Sequence, residues 1–316
     1  LRLASAITRH DAPPMIRKTY TLEIITPCFC SGADQAKAEI RAASIRGQLR
    51  WWLRALGGSA DEEPAVFGGI AGTTASSSIH LRVADRKPGP AWNPPKIDPN
   101  SPDSYVWHFA SVSGKPPGSG RRTLGPRWTS AGVLAPRSTF RLELLQRRPL
   151  PTDLQDRLDL ALRAFLQLGG LGLRVTRGLG AVVCHESPFD SSILAKIQEA
   201  GFRTEHRSAP LSETQIIKEI GALVKGTRKA SGWKIDTMSN RPVSTPSPFG
   251  TSDPRQTSAV YFRPVRRDIK SNNYELVVFE APHDRVLGER SRKSSVVGHE
   301  PSHLVKPDPA PPRRSR

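Results

Sequence analysis

The chain is 316 residues long, enough for two modest domains with two apolar cores, because domains commonly run to about 100–200 residues. Lys and Arg total 47 against 29 Asp and Glu, a formal charge of +18; a surplus of that size opposes compaction and implies a polyanionic partner, nucleic acid before any other. A membrane role is set aside, since no apolar run reaches the roughly 18 residues that span a bilayer and no basic amphipathic helix sits at either end.

Residues 1–14 carry neither an initiator Met nor a periodic pattern, so either Met15 is the natural start or this leader is disordered. From 17 to 26, Tyr20, Leu22, Ile24 and Thr26 alternate with Thr21, Glu23 and Ile25, which predicts a strand that Pro27 ends. Residues 44–56 predict a helix: Ile45, Leu49, Trp52, Leu53 and Leu56 recur at spacings of three and four, and Gly57 and Gly58 stop it. Short strands follow at 78–83 and 138–145, separated by a Pro/Gly-rich insertion over 85–137. Thr152 and Gln155 have the form of a capping box that opens a helix to Leu168, and 181–184 is an apolar strand. The order β-α-β-β-α-β is that of a ferredoxin-like (RRM-like) domain. The expected class is therefore α+β, with this domain over 15–187.

A second module is expected over 188–300. Residues 191–200 read as a helix, Ser212 and Gln215 as a capping box that opens another to Val224, and 259–262 and 274–279 as strands. These elements alone do not define its fold. Residues 226–255, polar and rich in Ser, Pro and Gly, read as a long loop, and 301–316 as a disordered basic tail.

The first predicted helix is the most informative segment. Arg46, Arg50 and Arg54 recur every four residues and form a stripe beside the core stripe, with Arg41 and Ser44 at the helix start. Gly47 lies on the same side. Glycine within a helix costs roughly 0.5–1 kcal/mol relative to alanine, which points to another backbone, of protein or RNA, coming close. Trp51 faces the arginines and reads as a base-stacking platform or as an interface aromatic. The competing reading is a plain solvated face.

The glycine-rich residues 169–180 follow a helix and enter a strand, the reverse of the context a pyrophosphate site needs, and no Gly-Lys-Ser/Thr closes them. Dinucleotide and Walker-type sites are excluded, and no cofactor is expected. What remains is a loop whose Gly170, Gly172 and Gly178 allow close approach and whose Arg174 and Arg177 neutralise phosphates, or else glycines that serve turn geometry alone. In a ferredoxin-like sheet the first and fourth strands are neighbours, so 169–177 should lie beside 27–41. Arg41, Arg46, Gly47, Arg174 and Arg177 then converge on one edge and form a backbone-binding site.

The same topology separates Cys28 and Cys30 from Cys184, so no metal site is expected, and three sparse cysteines are no disulfide framework and fit a reducing cytoplasm. None of the eight His lies in the first strand, the first helix or the glycine-rich loop, which leaves metal-independent RNA cleavage without its usual base. Asp34, in the loop after the first strand, is a weak candidate for a metal-dependent endoribonuclease, set against an ordinary loop-capping Asp. In the insertion, Tyr105, Trp107, Phe109 and Trp128 are interleaved with Lys115, Arg121, Arg122 and Arg127. That mixture suits a nucleic-acid strand or a neighbouring subunit, and equally a small satellite apolar cluster.

Ile25-Thr26-Pro27, then Gly32-Ala33-Asp34, the run from Arg41 through Ser44, Arg46, Gly47, Arg50, Trp51 and Arg54 to Leu56, Val66-Phe67-Gly68 and the glycines of 169–180 together resemble the RAMP proteins of type III CRISPR systems. The Ser-Ile-Arg-Gly-Gln-Leu-Arg-Trp-Trp form is most similar to the subunit-one branch found in Cmr (type III-B) effector complexes. The resemblance is good over 15–183 and less specific over 259–282. It implies two ferredoxin-like domains in tandem and a prokaryotic, cytoplasmic RNA-guided complex for antiviral defence. It also implies contacts with guide crRNA near its 3′ end, with target RNA and with other RAMP subunits, and binding without cutting. Backbone subunits of the class cleave with a loop Asp, but the subunit-one pattern includes Asp34 without implying cleavage. The chain departs from the family at Cys28-Phe29-Cys30, where an aliphatic or aromatic residue followed by glycines is usual. A general single-strand RNA-binding protein outside such systems is the remaining alternative.

Overall fold

The computed structural model describes residues 15–34, 36–69, 75–92, 101–107, 132–230 and 258–286, with positions 95 and 98 and the pairs 235–236 and 241–242. The leader, the basic tail and most of the 226–255 loop lie outside them. In the first half, β1 (Ile16–Ile24) leads to α1 (Ala42–Ala55), α2 (Glu62–Phe67), β2 (Ile79–Lys87), α3 (Ser104–Trp107), β3 (Thr139–Gln146), α4 (Thr152–Leu168) and β4 (Val182–Cys184). The strands form one sheet in the order β2-β3-β1-β4, every neighbouring pair antiparallel.

Alternation along β1 and β3 puts Leu22, Ile24, Phe140, Leu142 and Leu144 on one face, where α1 brings Ile45, Leu49, Trp52 and Leu53 and α4 brings Leu158, Leu162 and Phe165. Each such side chain gains roughly 1.5–3 kcal/mol from full burial. The helices were legible because their apolar spacing matches 3.6 residues per turn.

The second half contains α5 (Ser192–Glu199), β5 (Arg203–Leu211), α6 (Glu213–Ala230), the short pair β6 (Ile235–Asp236) and β7 (Arg241–Pro242), β8 (Val260–Val265), β9 (Tyr274–Glu280) and α7 (His283–Val286). An antiparallel sheet runs in the order β5-β9-β8. The fold is thus a mixed α+β arrangement of antiparallel sheets. Strand β5 was not expected, because Arg-Thr-Glu-His-Arg-Ser-Ala-Pro-Leu has no apolar face. It is an edge strand held by β9, and its register breaks between Arg207 and Leu211.

Two apolar clusters form, as the length suggested, but neither belongs to one half of the chain. Tyr261, Val265, Val277 and Phe279 of the second sheet join the α1 and α4 cluster, whereas Val260, Phe262, Leu276 and Val278 join Ile216, Ile220, Ile25, Phe29, Leu179 and Val183. The period of two along β8 and β9 makes that sheet a shared wall. The Arg266 guanidinium completes the junction by donating to the buried Glu23 carboxylate at 2.5 Å.

The caps divide. Ser212 and Gln215 form the expected box, with Ser212 N–H donating to Gln215 Oε1 at 2.9 Å and Gln215 N–H to Ser212 Oγ at 3.4 Å. Thr152 does not form one: the N-cap position is Pro151, and Gln146 Nε2 donates to the Gln155 side chain at 2.7 Å. A box not foreseen opens α2, with reciprocal bonds between Ser59 and Glu62 of 2.7 and 3.2 Å.

In the described part of the insertion the apolar-cluster reading prevails. Trp107 is buried against Phe29 and Trp92, with ring centres 6.2 and 6.3 Å away. Lys225 Nζ donates to the Ser101 carbonyl and to Ser104 Oγ, and a Cβ on Gly221 would stand 2.3 Å from the Pro102 carbonyl. Segment 101–107 therefore packs on α6. Phe109, Lys115, Arg121, Arg122, Arg127 and Trp128 lie outside the described residues.

Candidate nucleic-acid interface

Helix α1 starts where Arg41, in extended conformation, accepts the Ser44 N–H at its carbonyl, 3.0 Å away. Arg41 is exposed, Ser44 and Arg46 are half-buried, and Gly47 is exposed. Among the described residues neither Arg41 nor Arg46 has an ion-pair partner. Partial burial, then the charge of Arg50, push the Arg46 pKa down, and a guanidinium stays cationic at neutral pH all the same. A Cβ added at Gly47 would meet nothing within 4 Å. Its absence is therefore not needed for any approach among the described residues.

The rest of the stripe is partly satisfied. Arg50 donates to the Gly68 carbonyl at 2.8 Å and lies 5.6 Å from the Phe67 ring centre. Glu63 stands 3.4 Å from Arg50 and 3.5 Å from Arg54, so one carboxylate serves two guanidinium groups. They line an open cleft of about 400 Å³ with Ser59, Gly68 and Gly69. Trp51 is not the free platform the helical wheel suggested. Its ring sits 4.8 Å from Tyr261 and 6.5 Å from Phe202, and its Nε1–H is buried without a hydrogen-bond partner among the described residues. The wheel gives the side of the helix but not the sheet that comes to cover it.

The glycine-rich turn needs its glycines for the protein's own packing. Gly172, at φ +82°, leaves room for the Phe29 carbonyl, which a Cβ would approach to 2.4 Å; Gly180, at φ +64°, does the same for the Leu171 carbonyl at 1.9 Å. Gly170 and Gly178 are buried against Arg263 and Ile220. For the buried Gly170 and Gly178 the turn-geometry reading therefore prevails, while Gly172 serves the turn and stays exposed. Arg177 is corrected outright. Only 3 % exposed, it directs its guanidinium at the carbonyls of Thr176 and Val260 and at Ser258 Oγ. Arg174 stays near the surface at φ +58°, its guanidinium 5.7 Å from the Tyr105 ring centre.

The expected neighbourhood does form in the backbone. Gly180 N–H donates to Pro27, Leu173 N–H to Phe29 and Glu39 N–H to Cys30, at 3.0, 2.8 and 3.1 Å. The 27–40 loop thus lies between the glycine turn and the start of α1. Arg41, Arg46 and Arg174 border this strip, while Arg177 turns inward.

Arg263 was not foreseen. Fully buried, it donates to the Leu168 and Val175 carbonyls and so ties the start and the middle of the glycine turn to β8. Burial lowers its pKa to about 10, which leaves a full charge at neutral pH. The legible signal was an arginine inside an otherwise apolar strand, Val-Tyr-Phe-Arg-Pro-Val.

Asp34 behaves as a loop cap. It is 55 % exposed, accepts the Ala36 N–H at 2.9 Å and lies 3.7 Å from Lys37 Nζ. Among the described residues no group of three or more His, Cys, Asp or Glu could hold a metal ion, and no helix is long and apolar enough to cross a membrane.

With this geometry in hand, known proteins can be compared. The chain is 24% identical over 297 residues to the Cmr subunit Cmr1-1 of Pyrococcus furiosus, covering 87% of this chain and 77% of that one. The Cmr subunit Cmr1-2 of the same organism is 48% identical over 44 residues, 14% of this chain and 24% of that subunit. The crystal structure of apo Cmr1 from P. furiosus superposes with a TM-score of 0.52 at 17% identity, covering 84% of this chain and 88% of that one, which shows a shared fold. The sequence model of the RAMP superfamily matches residues 21–183, more than half of the chain, and the chain belongs to that superfamily.

Proposed function

We propose that the chain is a non-catalytic RNA-binding subunit of a type III-B (Cmr) CRISPR effector complex, acting in the cytoplasm of a prokaryote. The observation that carries this reading is the match to a Cmr subunit along most of both chains. The structure contributes a surface suited to the task. Arg41, Arg46 and the open Gly47, with Arg174 across the 27–40 loop, supply surface cations and a helix face that a phosphate backbone can approach closely. Arg50 and Arg54 extend it through the cleft they share with Glu63. Guide crRNA near its 3′ end and target RNA are the proposed ligands, and other Cmr subunits the proposed neighbours.

The fold is read as two ferredoxin-like domains in tandem, over 15–187 and 188–300. Strand order β2-β3-β1-β4 with two helices on one face supports the first, and a strand-helix-strand-strand run sheeted as β5-β9-β8 supports the second. Binding without cleavage is favoured because Asp34 is engaged as a loop cap. Affinity isolation of the tagged chain from its native host tests the proposal. Recovery of repeat-derived guide RNA with sibling RAMP subunits is the expected outcome, and a mixed RNA population without them would overturn it.

A further inference from the structure

The departure from the family pattern at Cys28-Phe29-Cys30 places two thiols in contact. Cys28 Sγ lies 3.4 Å from Cys30 Sγ and 3.3 Å from the buried Leu171 carbonyl, so its single thiol proton is shared between these two acceptors. Cys30 is partly exposed, Cys28 is buried, and Phe29 between them is pinned by the Leu173 N–H at its carbonyl and by Trp92 and Trp107 at its ring. This is an arrangement of one solvent-reachable sulfur backed by one protected partner, which suits attack on an oxidant followed by internal resolution.

We propose that Cys28 and Cys30 form a redox-active dithiol that a hydroperoxide converts to an intramolecular disulfide. With hydrogen peroxide, the Cys30 thiol gives up its proton, its thiolate attacks one peroxide oxygen, the O–O bond breaks, and the departing hydroxide takes up that proton and leaves as water, giving Cys30 sulfenic acid. The Cys28 sulfur then attacks the Cys30 sulfur, the S–O bond breaks, and the hydroxyl leaves with the Cys28 proton as a second water. Two thiols are oxidised by two electrons and one peroxide is reduced. The assignment of roles follows the chemistry: the Cys28 hydrogen bond, aided by the Arg41 charge, pulls the Cys30 pKa down against its partial burial, while the same bond and full burial push Cys28 up. Closing from 3.4 Å to a bond of about 2.05 Å withdraws the Cys28 thiol proton from Leu171, so the glycine turn loses one of its ties.

The test is hydrogen peroxide titration of the full chain with peptide mass spectrometry. Expected is a peptide holding both cysteines that is lighter by two hydrogen atoms, restored by dithiothreitol, with Cys184 still alkylatable on denaturation. Cys28→Ser should instead leave Cys30 as a trappable sulfenic acid, and Cys30→Ser should leave Cys28 unoxidised. Cys28 and Cys30 both still alkylatable after peroxide treatment, or a disulfide that includes Cys184, would overturn the assignment.

Discussion

Arg266 and Glu23, 243 residues apart in sequence, meet in a buried ion pair at 2.5 Å, with His185 Nε2 3.1 Å from the other Glu23 oxygen. Removing one partner strands a buried charge, which typically costs about 3–5 kcal/mol, whereas replacing both by apolar residues costs far less. Arg266→Met and Glu23→Gln should each lower the denaturation midpoint strongly, and the double variant Arg266→Met with Glu23→Leu should recover much of the loss. Urea unfolding measures this; equal losses in single and double variants would argue against the pair as the coupling element.

Gly47 and Gly172 should respond oppositely to alanine. At Gly47 nothing stands within 4 Å, so helix propensity should raise stability by roughly 0.5–1 kcal/mol, while RNA affinity falls if a backbone docks there. At Gly172 a Cβ meets the Phe29 carbonyl at 2.4 Å on a backbone with φ +82°, so Ala should destabilise by about 1–3 kcal/mol. Thermal unfolding and filter binding on both variants separate the two effects.

Arg46 and Arg177 divide in the same manner. Arg46→Ala should weaken binding to single-stranded RNA about tenfold and reduce the slope of log K against log salt by about 1, with an unchanged melting temperature. Arg177→Ala should lower stability, because its guanidinium satisfies buried oxygens, and any loss of binding should track unfolding. An unchanged salt slope for Arg46→Ala would remove it from the interface.

Glu63 holds Arg50 and Arg54 at 3.4 and 3.5 Å; Arg54 is exposed, whereas Arg50 and Glu63 are half-buried and still in reach of water. Glu63→Gln should therefore cost little stability, since exposed pairs contribute 0–1 kcal/mol or so. It should tighten RNA binding several-fold at low salt and less at high salt. Titration at two ionic strengths checks it.

Legibility from sequence followed what each signal encodes. Periodicity located α1, α4, β1 and β3 because their apolar faces are complete in themselves. It missed β5, whose pairing comes from β9 and not from its own polar residues. No capping box forms at Thr152, because Pro151 takes the N-cap position and the Gln155 side chain accepts from Gln146. The arginines were read as a charge count, and charge does not report burial: Arg177 and Arg263 face backbone carbonyls, Arg41 and Arg46 face outward. Topology brought the glycine turn to the 27–40 loop correctly, since strand neighbours fix segments, but not the side-chain directions within them.

The bridge between Arg177 and Phe262, parallel and isolated, joins the glycine turn to the edge of the second sheet. Mechanically it sets the two sheets in series. A force that separates the sheets would load this rung together with the Arg263 ties and the buried Arg266–Glu23 pair, so the strain is spread over contacts far apart in the chain.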